Sequence, residues 1–335
     1  MPLNIGIFGY GYWGPNLVRN FASMNDVSVK YVCDASPKSI AKLAARHNNI
    51  KGISDPDIVF GDDAVDAVVI ALPAALHADY AKRAVAAGKH VFIEKPLTLS
   101  VADAEELAAF SEKTDRVMMV GHLLLYHPAV LMLKNLVDSG DLGDIYYIYS
   151  QRLNFGIVRT DENALWSLAP HDISVINFLL GEPPSVVSAA GQSYISSGIE
   201  DTVFANLKFS DRKMAHLHVS WLDPHRYRRF TIVGSKKMAV FEDAEPKEKI
   251  KIIDKGVEKR SYESYSELLS LRFGDIRIPY VDATEPLKLE CRHFADCIAK
   301  GEKPRSDMKS GLEVVKVLDA AQRSLESGGA EVKLG

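Results

Sequence analysis

Over the first 120 residues, short apolar runs alternate with longer amphipathic stretches. Leu3–Phe8, Val27–Cys33, Ala67–Ala71, His90–Glu94 and Val117–Val120 are brief, rich in β-branched residues and bounded by Gly, Asp or Pro, which predicts strands. Between them, Gly14–Met24, Lys38–His47, Ala75–Ala87 and Val101–Lys113 read as helices, the last capped by Ser100 with Asp103. Strands apolar on both faces that alternate with helices imply a parallel sheet covered on each side, an α/β arrangement.

After Gly121 the rhythm changes. A helix is expected from about Pro128 to Asp138, an extended segment over Ile145–Leu153, and a second helix over Ala164–Leu180 that stops at Gly181 ahead of Pro183 and Pro184. Between about 186 and 253 strands follow one another with short turns. Val203, Ala205, Leu207 and Phe209 alternate with more polar neighbours, as do Ala215, Leu217, Val219 and Trp221 across a turn at Ser210–Lys213. Two amphipathic helices, near Leu287–Lys300 and Leu312–Ser327, close the chain; Val314, Leu318, Ala321 and Leu325 form the stripe of the second, which Gly328 and Gly329 end. The polar stretch Asp254–Tyr280 is read as loop with short strands. The pattern divides the chain into residues 1–121 and 122–335, the second an α+β domain with a large, mostly antiparallel open sheet, whose C-terminal helices are free to pack back on the first.

Composition narrows the function classes. A length of 335 residues suits two domains. With a net charge of −4 and a pI near 6.2, the chain lacks a global basic field for nucleic acid. Cys33, Cys291 and Cys297 have no CxxC spacing, so neither a disulfide framework nor a cysteine metal site is expected, and a reducing compartment is the default. The opening MPLNIGIFGYGYWG lacks the layout of a secretory signal, and no apolar window approaches a membrane span, so the expected location is cytoplasmic.

The chemistry begins at Gly9, Tyr10, Gly11, Tyr12, Trp13 and Gly14, a GxGxxG that follows a strand and opens a helix. Gly9 permits the tight turn, Gly11 lets a pyrophosphate approach the backbone, and Gly14 allows close helix–strand packing, with free N–H groups at the helix start facing the phosphates. Asp34 ends the next strand 20 residues beyond Gly14, where a carboxylate accepts from ribose hydroxyls and repels a 2′-phosphate. With no arginine directly after it, NAD is favoured over NADP. The alternative is that Asp34 caps the helix after Pro37.

His90–Pro96 ends a strand in Glu94 and Lys95 followed by proline, and open parallel sheets place ligands beyond such carboxyl ends. An ammonium there can hydrogen-bond a hydroxyl or ketone and stabilise alkoxide character. Its alternative is a surface Glu–Lys pair. Taken together, the glycine motif, Asp34, the segment Ala71–Leu72–Pro73–Ala74–Ala75–Leu76–His77, Gly88–Lys89–His90–Val91, Glu94–Lys95–Pro96 and the helix containing His171 resemble the glucose–fructose oxidoreductase/inositol dehydrogenase/MocA family over essentially the whole chain. The resemblance implies an N-terminal Rossmann domain whose nicotinamide lies against the open sheet of the second domain. It also implies Lys95 as a catalytic residue with Glu94 beside it, a Lys95–Pro96 peptide open to the cis form that X-Pro bonds tolerate, and Leu72, Pro73 and His77 on the cofactor side. A helix-start histidine without a ligand is the other reading of His77.

Ser167 and His171 share one helical face. Many members of the family carry Asp-x-x-x-His there, the histidine as acid/base; here the aspartate position is Ser167, which supplies no charge to tune His171 and leaves that to Lys95, Asp172 or substrate. The departure favours the sugar-nucleotide branch resembling UDP-N-acetylglucosaminuronate 3-dehydrogenase. A satisfied core histidine is the alternative for His171. His122 and Tyr126 follow a strand end and are candidates for the substrate pocket, whereas His127 precedes a helix. His216 and His218 share a strand face and, without a third ligand, suggest a sheet or subunit contact rather than a metal. Arg226 and Arg228, with Arg152 and Arg159, either grip a diphosphate or form a solvated strand edge.

The resemblance therefore implies an NAD(H)-dependent oxidoreductase of a sugar or sugar nucleotide, with C3 of a UDP-linked amino sugar or uronic acid foremost. Lys95 would polarise the reacting oxygen, and His171 would take its proton. Substrate contacts are expected from His122, Tyr126, Arg152, Arg159, Ser167, Asp172, Arg226 and Arg228. The rivals are a cyclitol or free-sugar dehydrogenase, a ketoreductase, and an NAD-binding regulator. An exposed antiparallel sheet also suggests a homodimer or homotetramer.

Overall fold

A computed structural model describes residues 2–156, 158–260 and 268–334. The chain divides into two compact units, 1–126 with 284–315, and 127–283 with 316–335.

The first unit opens with β1 (Leu3–Phe8), α1 (Gly14–Ala22), β2 (Val27–Cys33), α2 (Pro37–Ala44), β3 (Lys51–Ile53) and α3 (Asp57–Phe60). It continues through β4 (Ala67–Ile70), α4 (His77–Ala86), β5 (His90–Glu94), α5 (Val101–Ser111) and β6 (Met118–Gly121). All six strands are parallel, in the order β3-β2-β1-β4-β5-β6. β1, β4 and β5 are central, and Ile5, Ile7, Val68, Val69, Phe92 and Ile93 have no exposed surface. That explains their unbroken apolar sequence, because both sheet faces are covered. The order reverses between β1 and β4, so the strand ends there flank the crevice where such sheets bind ligands. Ser100 caps α5 as its sequence predicts, accepting from the Asp103 N–H at 3.1 Å.

β3 and α3 were not foreseen. Three residues and one helical turn are too short to show a period.

The second unit holds α6 (Pro128–Asp138), β7 (Ile145–Phe155), α7 (Ala164–Leu180), β8 (Val186–Gln192), β9 (Thr202–Lys208), β10 (Met214–Ser220), β11 (Leu222–Gly234) and β12 (Met238–Glu242). β13 (Ile250–Arg260) and β14 (Leu268–Arg277) follow. The tail supplies α8 (Pro286–Lys300), which folds with the first unit, then α9 (Met308–Glu326) and β15 (Val332–Lys333). Among the described residues the sheet has nine strands, ordered β14-β13-β12-β11-β7-β10-β9-β8-β15 and antiparallel except where β7 meets β10. The two alternating runs are buried at the expected positions, Val203 to Phe209 and Ala215 to Trp221. Asp211 and Arg212 both take positive φ between β9 and β10, the geometry that matches a tight hairpin to strand twist.

Asp254–Tyr280, expected as loop with short strands, is largely the long hairpin β13–β14; residues 261–267 lie outside those described. Alternation misled there because the hairpin exposes apolar side chains at Val257, Leu271, Phe273 and Ile276 and so lacks one consistently polar face.

Candidate functional site

In the first unit the glycine turn is built as its spacing requires. Gly9 has φ +93°, and a Cβ on it would lie 2.3 Å from the Ala71 carbonyl oxygen, so a side chain there is both strained and obstructed. A Cβ on Gly14, the first residue of α1, would lie 2.2 Å from the Gly9 carbonyl oxygen. Gly11 differs: nothing lies within 4 Å of a Cβ there. What this glycine keeps clear is space beside the α1 N-terminus, where an anion is favoured by the free N–H groups. Gly11→Val is accordingly expected to leave the melting temperature within a degree or two of wild type while NAD affinity falls at least tenfold. Calorimetric titration beside a thermal melt checks this.

Asp34 anchors the same turn. Its Oδ2 accepts the Tyr10 N–H at 2.7 Å and its Oδ1 accepts the Ser36 N–H at 2.8 Å. Ser36, not Asp34, caps α2 by accepting the Ser39 N–H at 3.4 Å. The helix-cap alternative for Asp34 therefore does not hold. Carboxylate lone pairs remain for hydroxyl donors. The Tyr10 side chain is buried, so it serves the turn through its backbone, whereas Tyr12 is 88% exposed and stacks on Trp13.

Beyond the ends of β4 and β5, the buried His77 ties two loops together. Its Nδ1 lies 3.0 Å from the Pro96 carbonyl oxygen and its Nε2 2.9 Å from that of Leu72. It thus holds the Leu72–Pro73 segment against the residues after Lys95, and with both ring nitrogens on backbone carbonyls it fits the alternative of a helix-start histidine without a ligand. The Lys95–Pro96 peptide is cis. Glu94 accepts the Lys95 N–H through Oε2 at 3.3 Å, while its Oε1 is enclosed without a hydrogen-bond partner. Burial pushes this carboxyl up to about 7, against the opposing pull of the Lys95 charge and of hydrogen bonds from the Lys95 N–H and the Trp13 indole. His122, just beyond β6, has both ring nitrogens enclosed and unpartnered; burial, with the Lys95 cation adding, pushes it down to about 4. His122 is therefore a neutral imidazole at physiological pH.

Tyr126, expected to face substrate, is enclosed within the first unit. It is 2% exposed, its hydroxyl lies 2.8 Å from Ser306 Oγ, and its ring packs against His293 and the Arg305 guanidinium. Being an apolar ring with a polar tip, it finds its hydroxyl partner inside the unit.

In the second unit, Asn163 caps α7 by accepting the Trp166 N–H at 3.1 Å, and the helix presents the half-buried Ser167 and His171 on one face. Asp172 is fully buried and takes Arg152 Nε at 2.5 Å. Both were expected to contact substrate, yet each is already the other's partner, as buried charges must be. Arg159 is likewise held by Asp161 and Glu162, at 3.3 and 2.9 Å. Arg228 donates to the Leu153 and Tyr227 carbonyls and to Asn154 Oδ1, and burial beside Arg152 pushes its guanidinium down to about 10. Of the four arginines expected to grip a diphosphate, Arg226 alone is exposed with no described ion pair or side-chain hydrogen bond. His127 caps α6 by accepting the Ala129 N–H. His216 meets Asn206 at 2.9 Å, and His218 stacks on Phe204.

One residue of the first unit, close enough to Glu94 to feel its charge, escaped the sequence reading. Glu290 of α8 is fully buried with both carboxyl oxygens unpartnered, and its ionisation is opposed by burial and by Glu94. The signal was present, since Leu287, Glu290, Cys291 and Phe294 fall on one helical face and the glutamate interrupts an apolar stripe.

Comparison with known proteins agrees with this arrangement. A family model described as "Oxidoreductase family, NAD-binding Rossmann fold" matches residues 3–122, and one described as "GFO/IDH/MocA C-terminal domain" matches residues 130–240. An uncharacterized oxidoreductase of Bacillus subtilis, YrbE, is 25% identical over 96% of this chain and 94% of its own. Inositol 2-dehydrogenase of Salmonella paratyphi B is 31% identical over 54% of this chain and 56% of its own. The crystal structure of a levoglucosan dehydrogenase with NADH and levoglucosan superposes with a TM-score of 0.83 at 21% identity, covering 99% of each chain, and speaks for the fold. Among the described residues no helix is long and apolar enough to cross a membrane. A six-stranded parallel sheet with its glycine turn and acid, joined to the antiparallel second unit, makes this chain a member of the GFO/IDH/MocA oxidoreductase family, with an NAD-binding Rossmann domain as its first unit.

Proposed function

We propose that the protein is an NAD(H)-dependent dehydrogenase of a polyhydroxylated small molecule, a sugar or cyclitol, acting on a CH–OH carbon. The observation that carries the reading is Lys95 at the carboxyl end of β5, with its charge felt by both Glu94 and His122. The glycine turn and Asp34 would hold the dinucleotide, and Asp34 would disfavour a 2′-phosphate. When bound, the nicotinamide supplies the hydride acceptor or donor. Lys95 donates a hydrogen bond to the reacting oxygen and stabilises its developing negative charge, an effect strengthened where water is excluded. His171 serves as the acid/base that takes or returns the hydroxyl proton. His122, neutral and enclosed, shapes the Lys95 surroundings without adding charge.

The relatives support the substrate class by name only: one is an inositol 2-dehydrogenase, another a levoglucosan dehydrogenase. A UDP-linked amino sugar or uronic acid is the second reading, favoured by Ser167 in place of the family's aspartate and by exposed Arg226. NADH formation across cyclitols, free sugars and UDP-sugars tests both. Turnover with a cyclitol or free sugar, indifferent to Arg226→Glu, is the result expected. A UDP-sugar preference lost at least tenfold in Arg226→Glu would establish the second reading instead. No turnover with any alcohol or ketone would point to the NAD-binding regulator.

A further inference from the structure

α8 carries a single charge on a face that is otherwise apolar. Leu287, Cys291, Phe294 and Cys297 surround Glu290 along it, and all five are buried. Phe294 packs edge-on against Phe21 and Phe92, so the helix face is seated in the interior of the unit. Among the described residues neither carboxyl oxygen of Glu290 has a hydrogen-bond partner. Glu94, at the end of β5, also keeps Oε1 enclosed and unpartnered, while its Oε2 takes the Lys95 N–H. Glu94 opposes ionisation of Glu290 and of Cys291.

The remaining titratable groups complete the setting. Lys95 and the Trp13 indole act on Glu94. Tyr126, bonded to Ser306 with Arg305 over its ring, and Cys291 lie on the Glu290 side. His122 senses Lys95, and Arg19 and Glu285 pair with each other at the edge of α8. An enclosed carboxylate with no donor is costly, and two interacting carboxyls in such a place do not both ionise. We propose that Glu94 and Glu290 hold one proton between them at neutral pH, carried by Glu290, and that the single negative charge left on Glu94 is the counter-ion of Lys95. Glu290, kept neutral, then leaves the charge of the pair on Glu94, next to Lys95. The consequence for Lys95 rests on the function proposed above; the shared proton does not.

The sign of the stability effect follows from burial. A carboxyl whose folded pKa is raised above its unfolded value stabilises fully below the unfolded value, near 4.3, and loses that contribution as pH rises through the folded one. For Glu94 that window runs from about 4.3 to about 7. Wild type should therefore lose melting temperature between pH 5 and 8, and Glu290→Gln, which keeps the shape and removes the ionisation, should lose less.

Infrared difference spectroscopy of the protein without added nucleotide tests the pair directly. The expected result at pH 7.5 is a protonated-carboxyl stretch in wild type that persists in Glu94→Gln and vanishes in Glu290→Gln. Its absence from wild type, or its survival in Glu290→Gln, overturns the shared proton. With Glu290 neutral in wild type, Glu290→Gln should leave the acidic limb of kcat where it is, since one uncharged group replaces another beside Glu94. A limb that moves down by a full pH unit would show Glu290 ionised beside Glu94 and overturns the assignment of the proton. Near-normal turnover in a Lys95 variant would sink the function proposed for that lysine but leave the infrared result standing.

Discussion

Lys95→Ala is expected to bind NAD within about threefold of wild type and to lose turnover by roughly a thousandfold or more. In the glycine turn, what Asp34 holds is the Tyr10 and Ser36 N–H groups. Removing one preorganised donor to a developing oxyanion costs about 10²–10³ in kcat, and loss of a general acid/base interaction about 10²–10⁴. A thousandfold corresponds to about 4 kcal/mol of transition-state stabilisation. Neutralising position 95 also frees Glu94 and His122 from their neighbouring cation, so Lys95→Met is a necessary companion: it keeps the apolar stem and removes the charge. Equal losses in the two variants locate the effect in the ammonium. Fluorescence titration with NADH and initial rates over pH 6–10 supply both numbers.

The second large effect is on stability. Asp172→Ala strands the Arg152 guanidinium in a place where the two side chains are 1% and 9% exposed. Breaking a buried pair on one side costs about 3–5 kcal/mol, whereas replacing both partners by apolar residues of similar volume is often neutral. Asp172→Ala should therefore unfold at markedly lower urea than wild type, and Asp172→Leu/Arg152→Met should recover most of the difference. If Asp172 instead bound substrate, Asp172→Ala would raise KM with an unchanged unfolding midpoint. The contrast separates the structural reading from the one its place beside His171 suggested.

How legible the molecule is from its residues depends on the scale of the signal. Long periodic segments are plain: β1, β2, β5, α6 and α7 begin and end where their apolar spacing and Gly or Pro boundaries put them. The glycine turn is equally plain, because a positive φ at Gly9 and a backbone collision at Gly14 leave the sequence no other residue. Partner choice was harder to see. Which arginine meets which acid depends on the sheet register that sets Arg152 of β7 beside Arg228 of β11, and on the turn of α7 that carries Asp172 inward. A sequence shows the charges but not their pairing, so Arg152, Arg159 and Asp172 passed for ligand contacts. Tyr126 deceived for a related reason, since its partner Ser306 arrives from 180 residues away. Glu290 is the instructive omission: a charge inside an apolar helical stripe is visible without any structure.

The claim on which the function depends is that the Lys95 ammonium attends the oxygen being oxidised or reduced. A crystal structure of the protein soaked with NAD and the substrate found by the turnover screen measures this directly. The account predicts Lys95 Nζ within about 3.2 Å of the reacting oxygen. An ordered substrate whose oxidisable carbon is remote from position 95, with the amine directed into solvent, would contradict it.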